Sequence, residues 1–243
     1  MREHRQGARG LGALSRYRAI LFDIGGPLDL EFAWEIAVDS AIASACSLEG
    51  IRVDQAMIEE ASEAAVAAFA ADAYAHMIET LCGGDPRATE RVGQRMRAMV
   101  GNLEVFQLRP EVDGLLCRLR ERGLKLGIVA NQSQTARERL ARAGIGDLFD
   151  HRGLSGGTGF RKPDPRAFTA AAEALGVSPA TCIMVGDRID NDIAPAKALG
   201  MAAIQFRSGR HRRQRPRSPA EEPDAIVTDV RELEAAIGAL LAQ

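Results

Sequence analysis

Four short stretches of this chain carry residues able to do chemistry together. The first is Asp23-Ile-Gly-Gly-Pro27 and the second is Ala130-Asn131-Gln132-Ser133. The third is Lys162-Pro163-Asp164-Pro165, and the fourth is Gly186-Asp187 with Asp190, Asn191 and Asp192 close behind. Two carboxylates placed side by side, such as Asp23 and Asp187, repel unless a cation stands between them. Hard oxygen ligands of this kind suit Mg²⁺, which keeps waters and accepts substrate oxygens. Lys162 would neutralise the remaining charge and grip an anionic group. A carboxylate held between a cation and a lysine is a competent nucleophile towards phosphorus, giving an aspartyl-phosphate. Each residue alone has a duller reading. An Asp after a strand often caps a turn, and acids at 190–192 suit a helix start. Their recurrence at successive strand ends is what favours chemistry.

Those strand ends are themselves read from the pattern. Arg18 to Ile24 is a short apolar run closed by Gly25-Gly26-Pro27, which predicts a buried parallel strand and a tight turn. After Pro110, apolar runs at 124–130, 181–185, 201–206 and 225–227 alternate with amphipathic helices. The helices are expected at 112–119, 134–143, 164–175, 189–199 and 230–241. Such alternation predicts a parallel sheet covered on both faces. In such sheets ligands collect at the carboxyl ends of the strands. Residues 31–106 differ. They are rich in Ala, Glu and Met, with breaks near Gly50 and at Cys82–Pro86, and predict an all-helical insertion. The division expected is a flexible tail over 1–17, an α/β core over 18–30 and 107–243, and a helical cap over 31–106.

Composition bounds the alternatives. Hydrophobic residues make up 46% and charged residues 26% of the 243, with a net charge of −2, so no global field draws the chain to nucleic acid or membrane. Cys46, Cys82, Cys117 and Cys182 form no CxxC pair and read as buried reduced thiols. The four histidines are scattered, which disfavours a histidine metal site. No run approaches a membrane span and the Arg- and Gly-rich start lacks a secretory pattern, so a cytoplasmic location is the expectation. Six arginines between Arg207 and Arg217 read as a solvated loop rather than a nucleic-acid patch, since aromatic residues are not interleaved. Gly153 to Lys162 is glycine-rich but fails the phosphate-loop spacing, with Pro163 where Ser or Thr is needed.

In their order and spacing, Phe22-Asp23-x-x-Gly26, Ala130-Asn131, Lys162-Pro163-Asp164-Pro165 and Val185-Gly186-Asp187-x-x-x-Asn191-Asp192 resemble the haloacid dehalogenase superfamily. The resemblance spans Arg18 to the C-terminus. It implies a doubly wound, Rossmann-like α/β core with a helical cap inserted after the first strand. It further implies Asp23 as nucleophile, with Asp23, Asp187 and the Gly25 carbonyl on Mg²⁺. Asp192 would orient the metal shell, and Lys162 would stabilise nucleophile and phosphate. Asn131 and Gly26 would join Lys162 in binding substrate, a small phosphorylated metabolite.

The chain departs from that pattern at informative places. Phosphatases of the family usually carry a second acid two residues after the nucleophile, and here that position is Gly25. Ala130 replaces the usual hydroxyl residue, with Asn131 or Ser133 as stand-ins. Asp29 and Glu31 are the acids just past the turn. Three readings follow: a phosphatase with a displaced or absent acid, a 2-haloacid dehalogenase-like hydrolase with Arg52 as a candidate cap arginine, or a non-catalytic binder of a phosphorylated ligand or protein. If the missing acid is the limit, Gly25→Asp should raise the rate.

Overall fold

The computed structural model describes residues 15–243 apart from Asn102 and Glu104. Most of the expected N-terminal tail therefore lies outside the described residues. Six strands form one wholly parallel sheet in the order β3-β2-β1-β4-β5-β6. The strands are β1 (Ala19–Phe22), β2 (Lys125–Ala130), β3 (His151–Leu154), β4 (Cys182–Gly186), β5 (Ala202–Phe206) and β6 (Ala225–Val227). Four helices follow β1: α1 (Phe32–Leu48), α2 (Gln55–Ala67), α3 (Ala73–Leu81) and α4 (Pro86–Val100). The later helices are α5 (Val112–Glu121), α6 (Thr135–Arg142), the short α7 (Ser155–Thr158), α8 (Pro165–Ala174), α9 (Ala194–Ala198) and α10 (Val230–Leu241).

The alternation of side chains along each strand explains the three layers. Ile20 and Phe22 face one side with Ile128, Ile183 and Phe206, packing on Leu115 and Leu119 of α5 and Leu233 and Ile237 of α10. Ala19 and Leu21 face the other with Val129 and Met184, packing on Phe168 and Ala171 of α8 and Ile193. Phe168 is fully buried in this second layer. Phe168→Ala is expected to cost about 3–5 kcal/mol of stability, read as a lowered urea midpoint with an unchanged slope. A loss under about 1 kcal/mol would mean that the layer re-closes around the gap.

The cap builds its own core from Val38, Ile42, Ile58, Met77, Val92 and Met96. Capping aspartates start three of its helices: Asp54, Asp72 and Asp85 each accept backbone N–H bonds from the first turn. Gly50, Gly83 and Gly84, at positive φ, occupy the breaks read from sequence.

Four features differ from the sequence reading. Strand β3 was not expected: His-Arg-Gly-Leu has little apolar character because it is an edge strand whose first two residues are half-exposed. The helix expected over 189–199 begins as a π-helical turn, Ile189–Ile193. Among the thiols Cys46 and Cys182 are buried, but Cys117 is exposed on α5. The arginine-rich segment is a β5–β6 connection as expected, yet it is not simply solvated, since Gln214 is buried and Arg210 reaches into the cap. No described helix is long and apolar enough to cross a membrane.

Candidate active site

The carboxyl ends of β1, β2 and β4 converge. Asp23 leaves β1 with its amide donating to Val185 O, which fixes the turn against β4. Gly26 has φ +80°, and a β-carbon there would stand 2.9 Å from Asp187 Cβ, so only glycine lets the turn lie this close. Arg109 holds the same turn from behind. Its Nε donates to Gly26 O at 2.7 Å, its Nη2 to Ser208 Oγ at 2.6 Å, and its guanidinium covers the Phe206 ring.

Lys162 is buried and its ammonium lies 2.9 Å from Asp23 Oδ1 and 2.6 Å from Asp192 Oδ1. Asn131 positions it: its side-chain amide donates to Lys162 O at 2.9 Å, and its Oδ1 accepts from Lys162 N at 2.8 Å. That carboxamide is thus engaged with the Lys162 backbone, though Asn131 also lines the cleft above. Asp192 is turned inward by the π-helical turn, in which Ile193 N bonds Arg188 O five residues back. Its second oxygen accepts from Arg188 N at 3.0 Å, so both oxygens are occupied.

Candidate oxygens of Asp23, Asp187 and Asp192 lie within 4.8 Å of one another. The balance of charge is telling. Burial raises the Asp23 and Asp192 carboxyls above their ordinary values, with Lys162 opposing the rise in both. Burial also works against the Lys162 ammonium, but Asp192 and Asp23 outweigh it and hold it charged beyond the usual lysine range. Three carboxylates gather here and one ammonium pairs with two of them, leaving a negative excess in a largely buried place. An all-oxygen donor set with that excess fits a hard divalent cation.

One residue not singled out by the sequence joins the site, beside the two acids noted just past the turn. His211 Nδ1 lies 3.3 Å from Asp187 Oδ2. Glu31 points into the cleft, where burial first, and then the charges of Asp187, Glu35, Asp23 and Asp29, push its carboxyl well above the ordinary value. Asp29 holds the cap hinge together, because its Oδ1 accepts from Glu31 N and from Gln107 N and so staples the outgoing strand to the returning one. Burial raises its carboxyl as well. Arg52 is exposed between α1 and α2 and lines neither large cleft.

The cap stands over these strand ends. A cleft of about 890 Å³ lies between Gly25, Glu31, Asn131 and Ser133 on one side and Trp34, Arg97 and Leu103 on the other. On the opposite flank the β5–β6 connection grips the cap. Arg210 pairs with Asp39 at 2.7 Å, donates to Ser62 Oγ, and lies over the Tyr74 ring. Arg213 pairs with Glu63 and Arg217 covers the Phe69 ring, while from the turn after β4 Arg188 donates to Ala70 O. The arginine run is therefore largely spent on intramolecular partners. Its signal in the sequence was composition alone, which does not reveal the acids of α1 and α2 that meet it.

A family model described as haloacid dehalogenase-like hydrolase matches residues 17–200. The chain is 38% identical over 125 residues to a glyceraldehyde 3-phosphate phosphatase of Methanopyrus kandleri, covering 51% of this chain and 54% of that protein. It is 36% identical over 152 residues to a phosphoserine phosphatase of Thermus thermophilus, covering 62% of this chain and 58% of that one. The chain thus spans a little over half the length of these curated relatives. Among solved structures, a HAD phosphatase of Thermococcus onnurineus superposes with a TM-score of 0.60 at 25% identity, over 91% of this chain and 98% of that one.

Proposed function

This chain belongs to the haloacid dehalogenase-like hydrolases, and from that premise we propose that it is a Mg²⁺-dependent phosphatase of small phosphorylated metabolites. The observation that carries the reading is the cluster of Asp23, Asp187 and Asp192, two of which pair with the buried ammonium of Lys162. Such a cluster suits a nucleophile, a cation and an anionic substrate together. The names of the relatives, which are phosphatases, support the same reading.

In this reading Asp23 Oδ2 attacks phosphorus while Oδ1 stays fixed by Lys162 and by the Ile24 amide at 2.8 Å. Lys162 offsets the charge of the phosphoryl group. Asp23, Asp187 and the Gly25 carbonyl would hold Mg²⁺, and Asp192 would fix the surrounding shell through Lys162 and the Arg188 amide. When bound, the cation orients the phosphoryl oxygens and stabilises charge developing on them. Asn131 keeps Lys162 in register, and the cap screens the site from bulk solvent. A cleft of about 890 Å³ accommodates a small metabolite and its phosphate. The exposed Arg52 gives no support to the dehalogenase reading.

The test is phosphate release from a panel of phosphate esters with and without Mg²⁺, alongside halide release from 2-haloacids. Release is expected only with the cation. Mg²⁺ should also stabilise the folded protein, by about 2.7 kcal/mol at a hundredfold excess over its dissociation constant, and Asp187→Asn should abolish that gain. Metal-independent halide release, or a melting temperature blind to Mg²⁺, would overturn the assignment.

A further inference from the structure

We infer that Glu31 is the acid and base of the reaction, filling from the cap hinge the place that Gly25 leaves open. The inference rests on the phosphatase reading and concerns which residue completes it.

Its basis is positional. Glu31 precedes α1 in the left-handed region, at φ 60° and ψ −20°, a conformation that a non-glycine residue adopts at a cost. Its side chain makes no helix-capping hydrogen bond. The carboxyl instead turns back to the end of β1 and lies over Gly25. A β-carbon built on Gly25 would stand 2.8 Å from Glu31 Cδ and closer still to Oε1. The other oxygen, Oε2, lies 3.0 Å from where a β-carbon of Gly209 would be. Two glycines, one on each side, thus make the niche that this carboxyl occupies. A side chain at position 25 and the Glu31 carboxyl claim the same volume.

The neighbouring acids are committed elsewhere. Asp29 staples the hinge through the Glu31 and Gln107 amides. Glu35 accepts from the Arg210 amide. Asp192 has both oxygens engaged. Among the described residues no hydrogen bond or ion pair reaches the Glu31 carboxyl, and it lines the substrate cleft together with Gly25 and Asn131.

The step balances in two halves. As Asp23 Oδ2 bonds to phosphorus, the bond to the ester oxygen breaks with its electron pair, and the Glu31 carboxylic acid gives that oxygen its proton. The alcohol leaves, and Glu31 is now a carboxylate. It then takes a proton from water as the water oxygen bonds to phosphorus. The Asp23–phosphorus bond breaks, returning the Asp23 carboxylate, inorganic phosphate and the Glu31 acid. Glycine at position 25 is thus an accommodation rather than a lesion. Gly25→Asp alone should collide with Glu31 and bring no gain, contrary to the expectation from sequence.

The experiment compares wild type, Glu31→Gln, Glu31→Ala and the Gly25→Asp/Glu31→Ala double variant, with Mg²⁺, on p-nitrophenyl phosphate and on an alkyl phosphate. Glu31→Gln should lose about 10²–10⁴-fold in turnover of the alkyl ester. With p-nitrophenyl phosphate, whose leaving group needs no proton, it should release one equivalent of p-nitrophenolate per enzyme and then stall as the acyl phosphate. The double variant should recover at least tenfold over Glu31→Ala, because its aspartate enters the vacated niche. Equal turnover by wild type and a folded Glu31→Gln protein overturns the assignment of Glu31 alone. A uniform loss on both esters without a burst does so as well, since that is the mark of a merely structural role. A wild type inert on both esters overturns the phosphatase reading and this assignment with it.

Discussion

Asp23→Asn is expected to lower phosphate release by on the order of 10⁴–10⁶-fold, the scale seen when a covalent nucleophile is removed from a site whose other parts remain. The carboxamide keeps the shape of the side chain but lacks the anionic oxygen that bonds to phosphorus. Oδ1 is already committed to Lys162 at 2.9 Å and to the Ile24 amide at 2.8 Å. In the proposed mechanism Oδ2 is therefore the oxygen left to react, and it is the one that an amide nitrogen would replace or distort. Any residual rate comes from the bound phosphate meeting water directly. Two readouts check this: release of inorganic phosphate, and covalent labelling of the protein by a ³²P-labelled ester, quenched in acid. The variant should retain its melting temperature within a few degrees and take up no label. A folded variant that keeps a hundredth of the parental rate would remove Asp23 from the role of nucleophile.

Lys162→Met should be the most destabilising single change at the site. The methionine matches the length of the lysine stem, so packing is largely kept and the loss is electrostatic. What remains is Asp23, Asp187 and Asp192 gathered within 4.8 Å with no ammonium among them. Breaking a buried pair by removing one partner costs about 3–5 kcal/mol, because the surviving charge is left without compensation. The sign of the pH dependence follows from the direction of the carboxyl shifts. Burial already raises the Asp23 and Asp192 carboxyls in the folded protein, and removing Lys162 takes away what opposed the rise. A group whose value is raised on folding contributes most below its unfolded value and loses that contribution as pH climbs through the folded one. The deficit should therefore be full at neutral to alkaline pH and narrow on acidification, as these carboxyls take up protons. Mg²⁺ should also narrow it, by substituting one positive charge for another. Urea titrations at several pH values, with and without Mg²⁺, provide the measurement. A variant matching the parent's midpoint at pH 8 without metal would show that the carboxylates are not constrained as described.

The sheet was legible where burial on both faces left unbroken apolar runs, as at Ile20–Phe22 and Ile183–Val185. It was not legible at β3, because an edge strand such as His151–Leu154 need not be apolar throughout. Asp23, Asn131 and Asp187 were readable because each directly follows a strand, so local spacing places it at the ligand-binding end; Lys162, beyond β3 and α7, was readable only from the motif around it. Asn131 was found by the same logic, but its engagement with the Lys162 backbone depends on a loop about thirty residues further along the chain. Glu31 was visible only as an acid near the turn. Its aim back at Gly25 is set by a left-handed backbone conformation that residue type does not announce. His211 and Arg210 were hidden for a different reason. Their partners Asp187 and Asp39 lie on other elements, and only the tertiary fold brings them together.

The adjacency of those last two residues has a mechanical consequence. Arg210 is anchored among Asp39, Ser62 and Tyr74 of the helical layer, while the next residue along the chain rests against Asp187. A single backbone unit therefore spans the roof and the floor of the reaction chamber. A lift of the roof would thus pull on the floor, so that admitting a guest and loosening the reactive centre would be one movement rather than two. In the proposed reaction such a coupling would complete the chamber only on closure, keeping the acyl phosphate covered without any separate sensor of occupancy.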